Sequence, residues 1–146
     1  MGRELRRIPR NWEHARNERG DYMPLKDGLN LALREWEAEA VKWAEGIIPE
    51  KQKYPSMSFE EWYGEKPNPQ DYMPDWPEAE RTQWQMYETS TEGTPISPPM
   101  ESAEALAHWL ADNGACCFAS MTATYEEWLI IIQAGSVPSV IITLRK

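Results

Sequence analysis

Residues 71–98 read DYMPDWPEAERTQWQMYETSTEGTPISP, and prolines at 74, 77, 95 and 98, together with Gly93, sharply restrict what this stretch can become. Proline fixes φ and removes a backbone donor, so none of these positions suits a helix interior or a central strand. Between them Trp84, Met86 and Glu88 alternate with Gln85, Tyr87 and Thr89, the period-two pattern of a half-buried strand. Glu92-Gly93 supplies a turn, and residues 94–97 return as a second short strand that Pro95 and Pro98 confine to an edge. Upstream, Asp75 and Glu78 have capping-box spacing with Pro77 in the first turn, which predicts a brief helix before the strand. Asp71-Tyr72-Met73-Pro74 also repeats Asp21-Tyr22-Met23-Pro24. Proline biases the preceding methionine toward extended backbone, so each copy predicts a turn or short extended segment that docks an aromatic.

The remaining elements follow from periodicity and capping. Leu29, Leu33, Trp36, Ala40 and Trp43 form one helical stripe, predicting a helix over 29–45 with Asp27 or Asn30 as its cap and Gly46 and Pro49 at its end. Residues 47–74 are proline-rich; Ser58 and Glu61 predict a helical turn there, and the rest reads as an ordered wrap pinned by aromatics. Ser102 caps a helix over 103–113 that stops at Gly114. Thr124 and Glu127 cap another through Ala134, closed by Gly135. Residues 115–123 read as a buried or partly buried connector and 137–144 as a strand. The expected fold is α+β: about three main helices packed on a small, mostly antiparallel sheet, with long proline-rich ordered loops. Residues 1–28 read as a basic irregular N-terminal arm and 29–146 as a single domain.

Charge narrows the range of partners. The net charge is −9, but residues 1–19 carry six arginines against three glutamates, whereas 35–92 carry fourteen acids against five bases. An acidic body disfavours direct nucleic-acid binding and anionic membranes, both of which need positive faces. No run of apolar residues is long enough to span a bilayer, and the arginine-rich start is unlike a signal peptide, so the expected location is the cytoplasm. Cys116 and Cys117 are adjacent and read as two reduced thiols.

Chemistry-bearing motifs are scarce. His14 and His108 stand apart in sequence from each other and from the cysteines, and no phosphate loop or nucleophile elbow is present. The expectation is therefore no enzyme, no catalytic residue, no metal and no cofactor. Eight tryptophans in 146 residues, with only two phenylalanines, suit half-buried platforms and interfaces. The candidate partner or ligand site joins Tyr72, Trp76, Trp84 and Tyr87 to Glu88, Thr89, Ser90, Glu92 and Thr94, aromatic faces beside hydroxyls and carboxylates.

Six segments carry a resemblance: Trp62-Tyr63-Gly64-Glu65, Asp71-Tyr72-Met73-Pro74, Gln85-Met86-Tyr87-Glu88-Thr89, Glu92-Gly93-Thr94-Pro95-Ile96-Ser97-Pro98, Leu110-Ala111-Asp112-Asn113-Gly114-Ala115 and Met121-Thr122-Ala123-Thr124-Tyr125-Glu126. Taken in order, they resemble a family of small uncharacterised proteins of tailed phages and prophages. The resemblance implies a phage accessory protein acting inside a bacterial cell, and transfers no activity or catalytic residue. The function expected is binding that inhibits or redirects a host protein or protein complex, as an anti-CRISPR-type anti-defence factor does. The alternative is a small-molecule protein that sequesters a nucleotide signal.

Overall fold

The computed structural model describes residues 2–135. In chain order the elements are β1 (Arg3–Ile8), α1 (Leu29–Ala44), α2 (Pro49–Lys53), α3 (Phe59–Tyr63), β2 (Gln83–Glu88), β3 (Thr94–Pro95), α4 (Ala103–Asp112), β4 (Cys116–Phe118), β5 (Met121–Thr122) and α5 (Tyr125–Ala134). Single 3₁₀ turns lie at Pro69–Asp71 and Glu78–Glu80. The fold is α+β, with α1, α4 and α5 as its main helices and small antiparallel sheets. None of the helices among the described residues is long and apolar enough to cross a membrane.

The chain divides into two compact units, one from residues 1–25 with 76–146, the other from Lys26–Asp75. In the first, β1 pairs antiparallel with β2 and β2 with β3, giving the order β1-β2-β3. The predicted alternation at 84–89 is thus the central strand, and the proline-limited return is the edge. The strand expected at 137–144 lies outside the described residues.

Two predictions for this unit differ from the structure. Residues 3–8 form β1 rather than an irregular arm, because each arginine has a specific partner. Arg3 pairs with Glu88 at 3.4 Å, the Arg7 guanidinium lies 3.7 Å over the Trp84 ring, and that of Arg6 lies 4.3 Å over Tyr87. The connector at 115–123 is the β4–β5 hairpin.

Helices α4 and α5 pack on each other, and α4 on β2. Leu106, Ala107 and Leu110 from α4 meet Trp128, Ile131 and Ile132 from α5, with Met86 from β2 and Cys117 from β4. Both helices start as their sequences dictate. The Ser102 hydroxyl accepts from the Ala105 N–H, and Thr124 and Glu127 form a complete capping box.

In the Lys26–Asp75 unit the predicted stripe of α1 reaches its core through Trp43, which packs with Ile48 and Phe59. Trp62 stacks on Trp43 at 5.1 Å and Tyr63 on Phe59 at 5.3 Å, while Trp36 Nε1 donates to the Gly64 carbonyl. Ser58 caps α3 as predicted. The caps assigned to α1 and to Asp75 are both corrected. Gly28 occupies the first cap position with no side-chain bond, and the Asp75 carboxylate accepts from the Asn30 N–H at 2.6 Å. Asp75 therefore neutralises the positive end of α1 from across the unit, and the turn that follows it is 3₁₀ without a side-chain cap.

Gly93 closes the turn between β2 and β3 at φ 113°, beside the Leu25 backbone. A Cβ there would collide with the Leu25 carbonyl oxygen and crowd the Arg6 guanidinium. Gly114 also has positive φ, but has nothing within 4 Å of its Cβ position. Gly93→Ala is expected to lower unfolding free energy by more than about 3 kcal/mol, against about 1–2 kcal/mol for Gly114→Ala, measured by urea denaturation.

Candidate functional site

The faces of β2 differ in chemistry. Trp84 and Met86 pack toward the apolar core, whereas Gln83, Gln85 and Tyr87 lie on the opposite face. Tyr87 is fully buried, and its hydroxyl collects three polar neighbours. Trp12 Nε1 donates to it at 3.3 Å, His14 Nδ1 lies 3.0 Å away, and Gln85 Oε1 lies 3.1 Å away. Gln85 Nε2 donates to the Ser97 carbonyl at 2.9 Å, which fixes the orientation of its amide. The Ser97 hydroxyl accepts the Met86 N–H.

His14 links this network to a hairpin. Its Nε2 lies 2.6 Å from the Met23 carbonyl, and Met23 N–H donates to the Ala15 carbonyl. Between those residues Arg16 and Tyr22 form an antiparallel bridge, and Asn17 N–H donates to the Asp21 carbonyl. The Asn17 side chain accepts the Arg19 and Asp21 amides, an Asx turn that sets the tip. The Arg16 guanidinium lies 3.9 Å over the Tyr22 ring and donates to the Gly20 carbonyl. Burial holds the His14 imidazole below its ordinary value; the Arg6 and Arg16 charges act in the same direction, and the Met23 carbonyl opposes them.

A cleft of about 640 Å³ opens here. Trp12, Glu13, His14, Ala15, Arg16 and Tyr22 form one side, and Gln85, Pro98 and Pro99 the other. A shallower recess of about 290 Å³, between Tyr22, residues 95–98 and Trp109, shares Tyr22 and Pro98 with it. Tyr22, which lines both, is exposed, as is the next residue, Met23. Aromatic and arginine side chains beside prolines give a surface able to take a protein segment or a flat ligand.

The nine residues chosen from sequence do not form one surface. Tyr87 is the hub of the buried network, so its ring is not a stacking platform. Trp84 lies under Arg7, and Glu88 pairs with Arg3. Trp76 is half-buried against Trp12, ring centroids 4.9 Å apart. Thr89, Ser90 and Glu92 are exposed in the turn after β2, and Thr94 bonds Thr91 through their hydroxyls at 2.6 Å. Tyr72 belongs to the Lys26–Asp75 unit, where it bridges Lys26. Sequence reasoning missed His14, Arg16, Gln85 and Pro98. The signal for the hairpin was the first DYMP copy, whose tyrosine lines the cleft.

Among the described residues no three His, Cys, Asp or Glu side chains come together as a metal site. Neither Cys116 nor Cys117 is in a disulfide, and the Cys117 sulfur lies 3.7 Å from the Thr122 carbonyl oxygen. Tyr87→Phe removes the shared hydroxyl from three polar groups and is expected to cost about 1–3 kcal/mol in urea denaturation. Thr89→Ala, on the exposed turn, should stay within about 0.5 kcal/mol of the parent. Compared with protein-family models, curated proteins and solved structures, the chain matches none.

Proposed function

We propose that the protein is a non-enzymatic phage accessory protein that binds a host protein or protein complex and inhibits or redirects it, as an anti-CRISPR-type anti-defence factor does. The observation that supports this reading is the exposed pair Tyr22 and Met23, with Arg16 stacked on the tyrosine and Tyr22 and Arg16 lining an open cleft. Tyr, Arg and Met are the side chains that protein interfaces favour, and a hairpin held by its own Asx turn presents them with little ordering entropy left to lose. Phage origin rests on the sequence resemblance.

Affinity capture from a bacterial lysate, with and without phage infection, tests the proposal. Wild-type protein should recover a stoichiometric protein that the double variant Tyr22→Ala, Met23→Ala loses. Recovery of no such partner, or equal recovery by the variant, refutes it.

The cleft's size supports a second reading, because its volume falls within the range of small-molecule pockets, roughly 300–1,000 Å³. A nucleotide signal would then stack on Trp12 or Tyr22 rather than on Trp84 or Tyr87. A saturating nucleotide should raise the melting temperature by several degrees in a thermal-shift screen, and a flat screen removes this reading.

A further inference from the structure

The cleft and the shallower recess beside it form one strip of surface. Tyr22 and Pro98 line both, so they stand as a ridge between two hollows, with Trp12 on the cleft side and Trp109 on the recess side. Three polar groups along the strip are uncommitted among the described residues. Trp109 is half-buried and its indole N–H has no acceptor; the one fully buried side-chain donor without a partner is Trp128 Nε1, so Trp109 Nε1 is open to solvent. The hydroxyl of exposed Tyr22 has no partner either. Glu13, on the cleft side, is exposed and joins no ion pair, whereas the Arg16 guanidinium is held by the Tyr22 ring and the Gly20 carbonyl.

The far wall of the strip limits what can lie along it. Residues 95–99 run beside β2 at the edge of the sheet, where Pro95, Pro98 and Pro99 have no N–H and the Ile96 N–H already donates to the Met86 carbonyl. A partner strand added there would find at most the Ser97 amide, so its own carbonyls would go unpaired, and this edge refuses β-augmentation.

A polyproline II segment has the opposite requirements. It forms no ladder, its carbonyls accept from side-chain donors, and it turns once every three residues, about 9 Å, so that one face can fill two neighbouring hollows. Its proline rings pack on aromatic rings, and its conformation is set before binding, which spares ordering entropy. Trp109 Nε1 and the Tyr22 hydroxyl are donors for its carbonyls. The unpaired Glu13 carboxylate complements a cation at the end that reaches the cleft.

We propose that the strip from Trp12 to Trp109 binds a proline-rich extended segment of the partner protein, with a lysine or arginine of that segment against Glu13. This rests on the reading of the cleft as a protein-binding site and names the chemistry of what it takes.

The probe is a synthetic peptide of alternating proline and leucine pairs with an arginine at each end, titrated into the full chain and followed by NMR. The Trp109 indole N–H resonance should shift as the peptide saturates, while that of Trp36, bonded to the Gly64 carbonyl, stays in place. Glycine in place of every proline should weaken binding by more than about tenfold. Trp109→Phe, which keeps a ring but removes the donor, should weaken it by about two- to tenfold. Glutamates in place of the arginines should weaken it by about two- to tenfold in the wild type and have no effect in Glu13→Gln. A Trp109 indole that does not move, equal affinity for the glycine peptide, or the same arginine preference in Glu13→Gln overturns the proposal; the first two need no variant. A lysate protein that the Tyr22→Ala, Met23→Ala variant loses, but that an excess of the arginine peptide does not displace, overturns this inference alone. No lysate partner together with an unmoved Trp109 indole overturns both readings.

Discussion

The Arg6 side chain is 4% exposed, and the groups its guanidinium meets come from its own strand, from Leu25, from β2 and from the turn after β2. It bonds the Glu4 carboxylate and the Leu25 carbonyl, lies over the Tyr87 ring, and passes close to Gly93. Lysine could not replace it in this setting, because a single ammonium lacks the planar fork that serves an acid, a carbonyl and a ring face at once. Its strand neighbours repeat the pattern. Arg3 donates to the Cys116 carbonyl, and Arg7 to the carbonyls of Gln83 and Arg81. Backbone carbonyls at strand ends and in loops that would otherwise need water or ladder partners are satisfied by side chains of β1, and this is how one short strand organises the segments around it.

The sheet consequently has two kinds of interior. On one face Met86 enters an aliphatic and tryptophan core with α4 and α5, where packing is non-directional and tolerant of similar volumes. On the other, Gln85, Tyr87, His14 and Trp12 form a network in which each proton must be in the right place. Such a network specifies geometry more sharply than it stabilises, because leaving any member unpaired in a low dielectric is costly. The cleft inherits its shape from this second face: two of its lining groups, His14 and Gln85, are held from behind by Tyr87.

What the sequence made legible was the local part. Ser58, Ser102 and Thr124 cap the helices that begin after them, since donor and acceptor lie three residues apart and nothing distant is needed. The alternation through Tyr87 and the proline-limited edge were readable for the same reason. Where partners are remote, the reading failed. Arginines three positions or fewer apart resemble a solvated arm until Trp84, Tyr87 and Glu88 are placed opposite them, some eighty residues later in the chain. Asp75 matched a capping box with Glu78, yet its carboxylate serves Asn30, 45 positions away. The candidate site misplaced its aromatics because period-two patterning gives the face of a strand, not what covers that face. The two DYMP copies were read as a turn or short extended segment that docks an aromatic; in both, the tyrosine makes a bridge and the methionine amide donates to a neighbouring segment. Their surroundings differ all the same, since Met73 is buried and Met23 is exposed.

The cap that Asp75 places on α1 has a topological consequence. Together with the bonds from Lys26 N–H to the Asp71 carbonyl and from Met73 N–H to the Lys26 carbonyl, it fastens the last residues of the Lys26–Asp75 unit to its first ones. The chain leaves Leu25 and returns at Trp76 through a closed neck. Closure entropy grows with the number of residues between the joined ends, so the neck's bonds leave a far shorter effective loop between Leu25 and Trp76. Changes in the length of the chain between α1 and the second DYMP copy then leave the neck itself as it is, because its bonds join residues 26–30 to residues 71–75.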